Sequence, residues 1–144
     1  MTYRIVGLDP NTARGPEALP ITVSAKPGFP CRVTLEDAEI GERVWLFHYV
    51  SHDVETPYRT GYAIYVREGA PEPAHYVDAV PPAMESRTLG LRGFDAEGML
   101  RSALLAAPGE ADAKIRTLFG SSEIASIHAH NAAHGCFVAK IVRD

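Results

Sequence analysis

Residues 126–141 read SIHAHNAAHGCFVAKI, and how this stretch folds back on itself decides the architecture. Side chains alternate faces along a strand. Ile127 and Ala129 share one face of the first half, and Ser126, His128 and His130 share the other. In the second half Phe137, Ala139 and Ile141 share a face, and Cys136, Val138 and Lys140 share the other. A slip of one residue swaps the faces, so the register must group the apolar residues. That condition pairs His130 with Cys136, His128 with Val138 and Ser126 with Lys140. The competing register sets Asn131 opposite Cys136 and moves His128 and His130 onto the face of Phe137 and Ile141. The first is preferred. It leaves a five-residue turn, 131–135, in which Gly135 supplies a positive φ.

Outward from this C-terminal hairpin the pattern stays mostly β. RVWLFHYV (43–50) and GYAIYVRE (61–68) are aromatic and β-branched and read as buried strands, joined by the ten residues SHDVETPYRT (51–60). CRVTL (31–35) reads as a shorter strand. SRTLGLRGF and MLRSALLA flank DAEG as a second hairpin. One helix is predicted over about 109–119, where Ala111, Ile115, Leu118 and Phe119 follow helical spacing and Gly120 ends the run. Residues 1–30 are rich in Pro and Gly and read as loop, apart from the short apolar piece ITV. The fold class is therefore α+β: one domain over 1–144, with a mainly antiparallel sheet that is curled or barrel-like, one main helix and the C-terminal hairpin.

A chain of 144 residues with 46% hydrophobic and 22% charged residues buries enough surface for one core without a metal or a disulfide. Net charge is −4 and no basic cluster exists, which argues against nucleic acid as a partner. No apolar run is long enough for a membrane span, and MTYRIVGLDPNT does not read as a signal peptide. The expected location is cytoplasmic, where Cys31 and Cys136 stay reduced. The sequence leaves oligomeric state open.

Three chemistries compete for the hairpin. In the first, Cys136 is a nucleophilic thiol, His130 its base and His128 or Asn131 the group that orients the base, with N–H groups of the 135–136 turn facing an oxyanion. In the second, His128, His130, Cys136 and Cys31 hold a Zn-like transition metal, because His-X-His on a strand projects two imidazoles one way. The HAH spacing is shared with the metal pair of cupin barrels, but the glutamate that should follow is missing. In the third, the hairpin is ordinary and the chain is an interaction module without chemistry. No cofactor is implied outside the metal reading.

Elsewhere, Arg32, Tyr58 and Arg59 are candidates for gripping a small anionic molecule, since a guanidinium fork suits a carboxylate or phosphate. Tyr58 and Arg59 sit where a loop meets a strand. Arg87 and Arg92 are weaker versions of the same idea. His52, Asp53 and Glu55 read as a solvated loop. Asp95 and Glu97 read as a hairpin turn, because a calcium loop needs more oxygen ligands.

Three blocks, FPCRVTLEDAEIGERVWLFHY, PYRTGYAIYVRE and HAHNAAHGCFVAKIVR, together resemble a bacterial family catalogued as domain of unknown function 1203. The resemblance spans about 28–143. It implies a small stand-alone bacterial domain and no particular activity. The matching motif positions are Cys31, Arg32, Tyr58, Arg59, His128, His130, Asn131, Gly135 and Cys136. The family carries Pro before the motif Gly; His134 stands there instead, which argues against an essential role for His134. The expectation is a pocket lined by His128, His130, Asn131 and Cys136 that takes a small anionic ligand through Arg32, Tyr58 or Arg59.

Overall fold

The computed structural model describes residues 1–144. In chain order its elements are β1 Tyr3–Val6, β2 Leu19–Thr22, β3 Arg43–His52, β4 Thr60–Arg67, β5 His75–Val77, α1 Pro82–Glu85, β6 Leu89–Phe94, β7 Leu100–Ala106, α2 Ala111–Phe119, β8 Ser126–Asn131 and β9 Phe137–Arg143. The C-terminal hairpin is β8–β9, at the centre of a six-stranded sheet ordered β5-β1-β9-β8-β6-β7. All its pairings are antiparallel. A second antiparallel sheet, β2-β3-β4, carries the other strongly apolar strands. Neither sheet closes, so the α+β architecture consists of two open sheets and one main helix.

Period-two alternation explains the layers. Ile127, Ala129, Ala139 and Ile141 point to the face where Ala111, Ile115, Leu118 and Phe119 of α2 pack, together with Leu89 and Leu91 of β6. Fully burying an Ile on this face contributes about 1.5–3 kcal/mol. The opposite face of the hairpin carries His128 and Phe137, which meet His52 and Tyr49 of β3. The large sheet is thus sandwiched between a helix and the small sheet.

Two segments differ from expectation. CRVTL forms no strand: Cys31 makes a single bridge to Tyr65, and the chain then turns, with Leu35 N–H donating to Cys31 O and Leu35 at φ 55. The N-terminal segment is not all loop. Tyr3 and Ile5 are fully buried, and β1 lies between β5 and β9. Four residues are too short to show a convincing period; pairing partners far along the chain make this strand. Gly120 caps α2 as expected, but in right-handed conformation (φ −62).

The chain leaving β1 holds the 31–35 turn in place. Leu8 N–H donates to Arg32 O and Ala74 N–H to Val33 O, both at 2.8 Å. Gly7 allows this approach, since a Cβ there would lie 1.9 Å from the Val33 carbonyl oxygen. Gly7→Ala is expected to cost about 3 kcal/mol, because backbone must move to relieve the clash. Thermal unfolding of the variant checks this; an unchanged Tm would show that the two segments separate freely.

Candidate functional site at the tip of the C-terminal hairpin

The hairpin has two registers joined by a bulge, and the preferred one is neither of them; only the pairing at the tip follows the competing register. From Ser126 to Ala129 the pairs are Ser126–Val142, Ile127–Ile141, His128–Lys140 and Ala129–Ala139. This is two residues away from the expected pairing, so the faces are those expected. The register then shifts, and His130 lies opposite Phe137. Val138 is the extra residue, and Val138 and Ala139 both join the helix-side core. A bulge of this kind re-aims the residues beyond it. Phe137 turns onto the face of His128 and His130, and Asn131 N–H donates to Cys136 O. The expected opposition of His130 and Cys136 is therefore corrected: burial of Val138 on the core side outweighs a regular ladder.

The neighbours of the Cys136 sulfur are Arg32 and Asn131. Arg32 Nη2 donates to Sγ at 3.1 Å and Asn131 Nδ2 at 3.2 Å. Arg32 is 1% exposed. Its Nε donates to Phe137 O (2.7 Å) and its Nη1 to Pro30 O (2.5 Å), and it makes no ion pair with any carboxylate. A buried charge normally has a partner of opposite charge. Here the only neighbour able to carry negative charge among its hydrogen-bond partners is the Cys136 sulfur. Burial pulls the Arg32 guanidinium below its ordinary value, and the Cys136 sulfur pushes it back up. An Arg keeps its proton regardless. Asn131 Oδ1 is buried and receives no hydrogen bond.

These groups open onto a depression of about 790 Å³ between the hairpin tip and the small sheet. Pro30, Leu46, Tyr62 and Tyr65 give it apolar and aromatic walls, while Arg32, Asn131 and Cys136 supply polar atoms. Tyr62 is largely exposed, so the mouth is open. Arg87 also lines it, but its guanidinium is engaged by Asp37, with Nη2 donating to Oδ2 at 3.0 Å.

Behind the hairpin tip the histidines form an aromatic wall. His52, His128 and His130 are all buried. His52 stacks on Phe94 at 3.9 Å between ring centres, and His128 meets His52, Phe94 and Phe137 edge-on. His130 Nδ1–H donates to Gly135 O at 2.9 Å, and Gly135 holds the turn at φ 80, the positive φ expected of it. Burial holds His128 down to about 3, with His52 and Lys140 adding to the effect. Burial likewise holds His130 down to about 4, although its bond to Gly135 works the other way. Both rings are neutral near pH 7, and His128 Nδ1 has no partner.

The expected site residues divide as follows. Arg32, Asn131 and Cys136 come together. His130 bonds Gly135 rather than Cys136, and His128 packs between Phe94 and Phe137. Gly135 N–H donates to Asn131 O, so it is not free to face an oxyanion. Tyr58 and Arg59 do not line the depression; Arg59 Nε donates to Asp53 Oδ1 at 3.0 Å on an exposed loop. Cys31 is fully buried beside Val33 and Phe47 and accepts backbone N–H groups of Thr34 and Arg67. Both cysteines are free thiols, and no three His, Cys, Asp or Glu side chains are placed to hold a metal ion. His52, expected in a solvated loop, is buried and donates Nε2–H to Gly98 O, because the 53–59 loop packs on the β6–β7 turn. Arg92 lies beside His128, its strand partner, away from the depression. His134 is an exposed rim residue. The contributions of Tyr62 and Tyr65 were missed. The alternation of Tyr65 with Ile64 and Val66 was readable, but not what it would face.

No helix is long and apolar enough to cross a membrane. The family model described as Protein of unknown function (DUF1203) matches residues 28–143. No curated protein and no solved structure matches the chain.

Proposed function

Because the chain belongs to the family described as Protein of unknown function (DUF1203), we propose from its geometry that it is a thiol-dependent protein, with Cys136 as nucleophile in a pocket for a small, anionic molecule. The observation that carries this is the buried Arg32, which has no carboxylate partner and donates to the Cys136 sulfur. Two N–H donors at sulfur, one of them on a cation, favour the sulfur as electron-rich acceptor, and the guanidinium charge attracts an anion. His130 and His128 form the neutral wall behind the site and do not act as its base. A cytoplasmic bacterial setting, in which the thiol stays reduced, belongs to the same proposal. Two other readings, a Zn-like site through the His-Ala-His pair and an interaction module without chemistry, have no comparable observation in their favour.

Alkylation of the reduced, chelator-treated protein tests the proposal. Iodoacetate, an anion, and iodoacetamide, its neutral counterpart, are compared, with the labelled cysteine mapped by mass spectrometry. Cys136 is expected to react and Cys31 to stay unlabelled. The preference for iodoacetate over iodoacetamide should exceed that of a small free thiol by about tenfold, a difference of ~1.4 kcal/mol in barrier. Alkylation of Cys136 no faster than the free thiol, without preference for the anion, would remove the reading.

A further inference from the structure

We propose that Cys136 reduces hydroperoxides, small organic hydroperoxides above all, and is itself oxidised to a sulfenic acid. This rests on the reading of Cys136 as a nucleophile and adds the substrate class; the bound hydroperoxide is itself neutral, and the anion that meets Arg32 is the departing alkoxide. Two features of the pocket select it.

The first concerns the leaving group. Thiol attack on an amide needs a proton donor beside the sulfur, because an amine leaves only when protonated. The side chains hydrogen-bonded to Sγ are a guanidinium and an amide, neither of which exchanges a proton near neutral pH. His130 is turned to Gly135 and neutral. Such a site suits a substrate whose leaving group departs as an anion under a fixed positive charge. Cleavage of an O–O bond releases an alkoxide of this kind, and Arg32 is the charge placed to receive it.

The second concerns the ligand's own hydrogen. Asn131 Oδ1 is a buried acceptor without a donor, while the Nδ2 of the same amide donates to Sγ. Leaving such an acceptor unpaired is costly. A ligand O–H or N–H group at the sulfur would pair this acceptor once the amide turns toward the depression that Asn131 lines. A hydroperoxide carries its O–H on the terminal oxygen, the one that sulfur attacks. Its alkyl group would lie on the walls formed by Leu46, Tyr62 and Tyr65.

The reaction balances. The thiolate attacks the terminal oxygen; an S–O bond forms and the O–O bond breaks. The electron pair leaves on the alkoxide, which takes the proton that the thiol gave up, yielding an alcohol and a sulfenic acid. Sulfur is oxidised and the peroxide reduced. Cys31 is fully buried with its sulfur held by backbone N–H groups, so recovery uses an external low-molecular-weight thiol. One thiol displaces water from the sulfenic acid to give a mixed disulfide, and a second releases Cys136.

The test uses the full chain, reduced and freed of reductant. Cumene hydroperoxide and hydrogen peroxide are added separately, and the rate of sulfenic acid formation is followed with a cyclic-dione trap and mass mapping. Cys136 is expected to gain one oxygen at least about a hundredfold faster than a small free thiol, and faster with cumene hydroperoxide than with hydrogen peroxide. Cys31→Ser should keep this rate and Cys136→Ser should lose it. Arg32→Lys keeps the charge but loses the fork geometry, and should slow oxidation more than about tenfold. The wild-type comparison needs no variant to fold. Rapid iodoacetate labelling together with peroxide oxidation no faster than the free thiol would overturn this proposal and leave the nucleophile standing. Loss of both reactivities would overturn both.

Discussion

Between about pH 6.5 and pH 4 the protein is expected to lose roughly 6 kcal/mol of stability, about 3 kcal/mol from each of two histidines. His128 and His130 are held at about 3 and about 4 by burial. In the unfolded chain they titrate at their ordinary value of 6.5. As pH falls below that value the unfolded state takes up protons and the folded state does not, so stability falls with pH. It is fully present above about pH 6.5, and the loss levels off below the folded values. The groups that face these rings are His52, Lys140, Arg92 and Arg32, all cationic or able to become so, and none relieves a positive charge there. Asp95 and Asp112 are held low by hydrogen bonds, Asp95 chiefly from Met99 N–H and Asp112 chiefly from the Tyr3 hydroxyl. They contribute stability that is lost only at more acid pH, so the window above about pH 4.5 belongs to the histidines. Urea midpoints across this window check the prediction, and His128→Phe, which keeps the ring packing, should flatten the slope by about half. A midpoint constant over the window would show that water reaches the rings.

Replacing Arg32 with methionine is expected to destabilise the protein by about 3 kcal/mol. The variant leaves the Pro30 and Phe137 carbonyls without the donors they now have. Each orphaned carbonyl costs about 1–3 kcal/mol, and the lost bond to sulfur adds to this. Relief of the guanidinium's own desolvation offsets part of the sum, which keeps the net near the lower end. Chemical denaturation measures the loss, and the iodoacetate preference of Cys136 should fall to that of a free thiol in the same sample. A variant as stable as the parent would mean that water replaces the guanidinium.

Much of the fold was legible because long apolar strands have a period. The strands at 43–52 and 60–67, the hairpin of β6 and β7 and the helix all followed their patterns. What escaped were short elements made by distant partners, β1 and β5 above all. At the site, the residue types were legible and their contacts were not. Arg32 and Cys136 were both singled out, yet Arg32 follows Cys31 on a segment expected as a strand, where neighbours point apart. The turn at 31–35 carries Arg32 across to the hairpin tip. His130 came to bond Gly135 instead of Cys136 for a similar reason. Bulge and turn geometry arise from competing burial of single residues such as Val138, which no alternation rule ranks.

Because β1 lies between β5 and β9, the large sheet joins the two ends of the chain. Tyr3 pairs with Arg143, and Asp144 N–H donates to Thr2 O at 2.9 Å. The hairpins β6–β7 and β3–β4 close short loops and cost little chain entropy. Seating β1 closes a loop nearly as long as the chain. A topology with so high a contact order folds slowly for its size. The contact between Arg32 and Cys136 is tied to the same step, since the turn bearing Arg32 is bonded to the chain that follows β1. Whatever loosens the pairing of the two chain ends is therefore expected to be felt at the Cys136 sulfur.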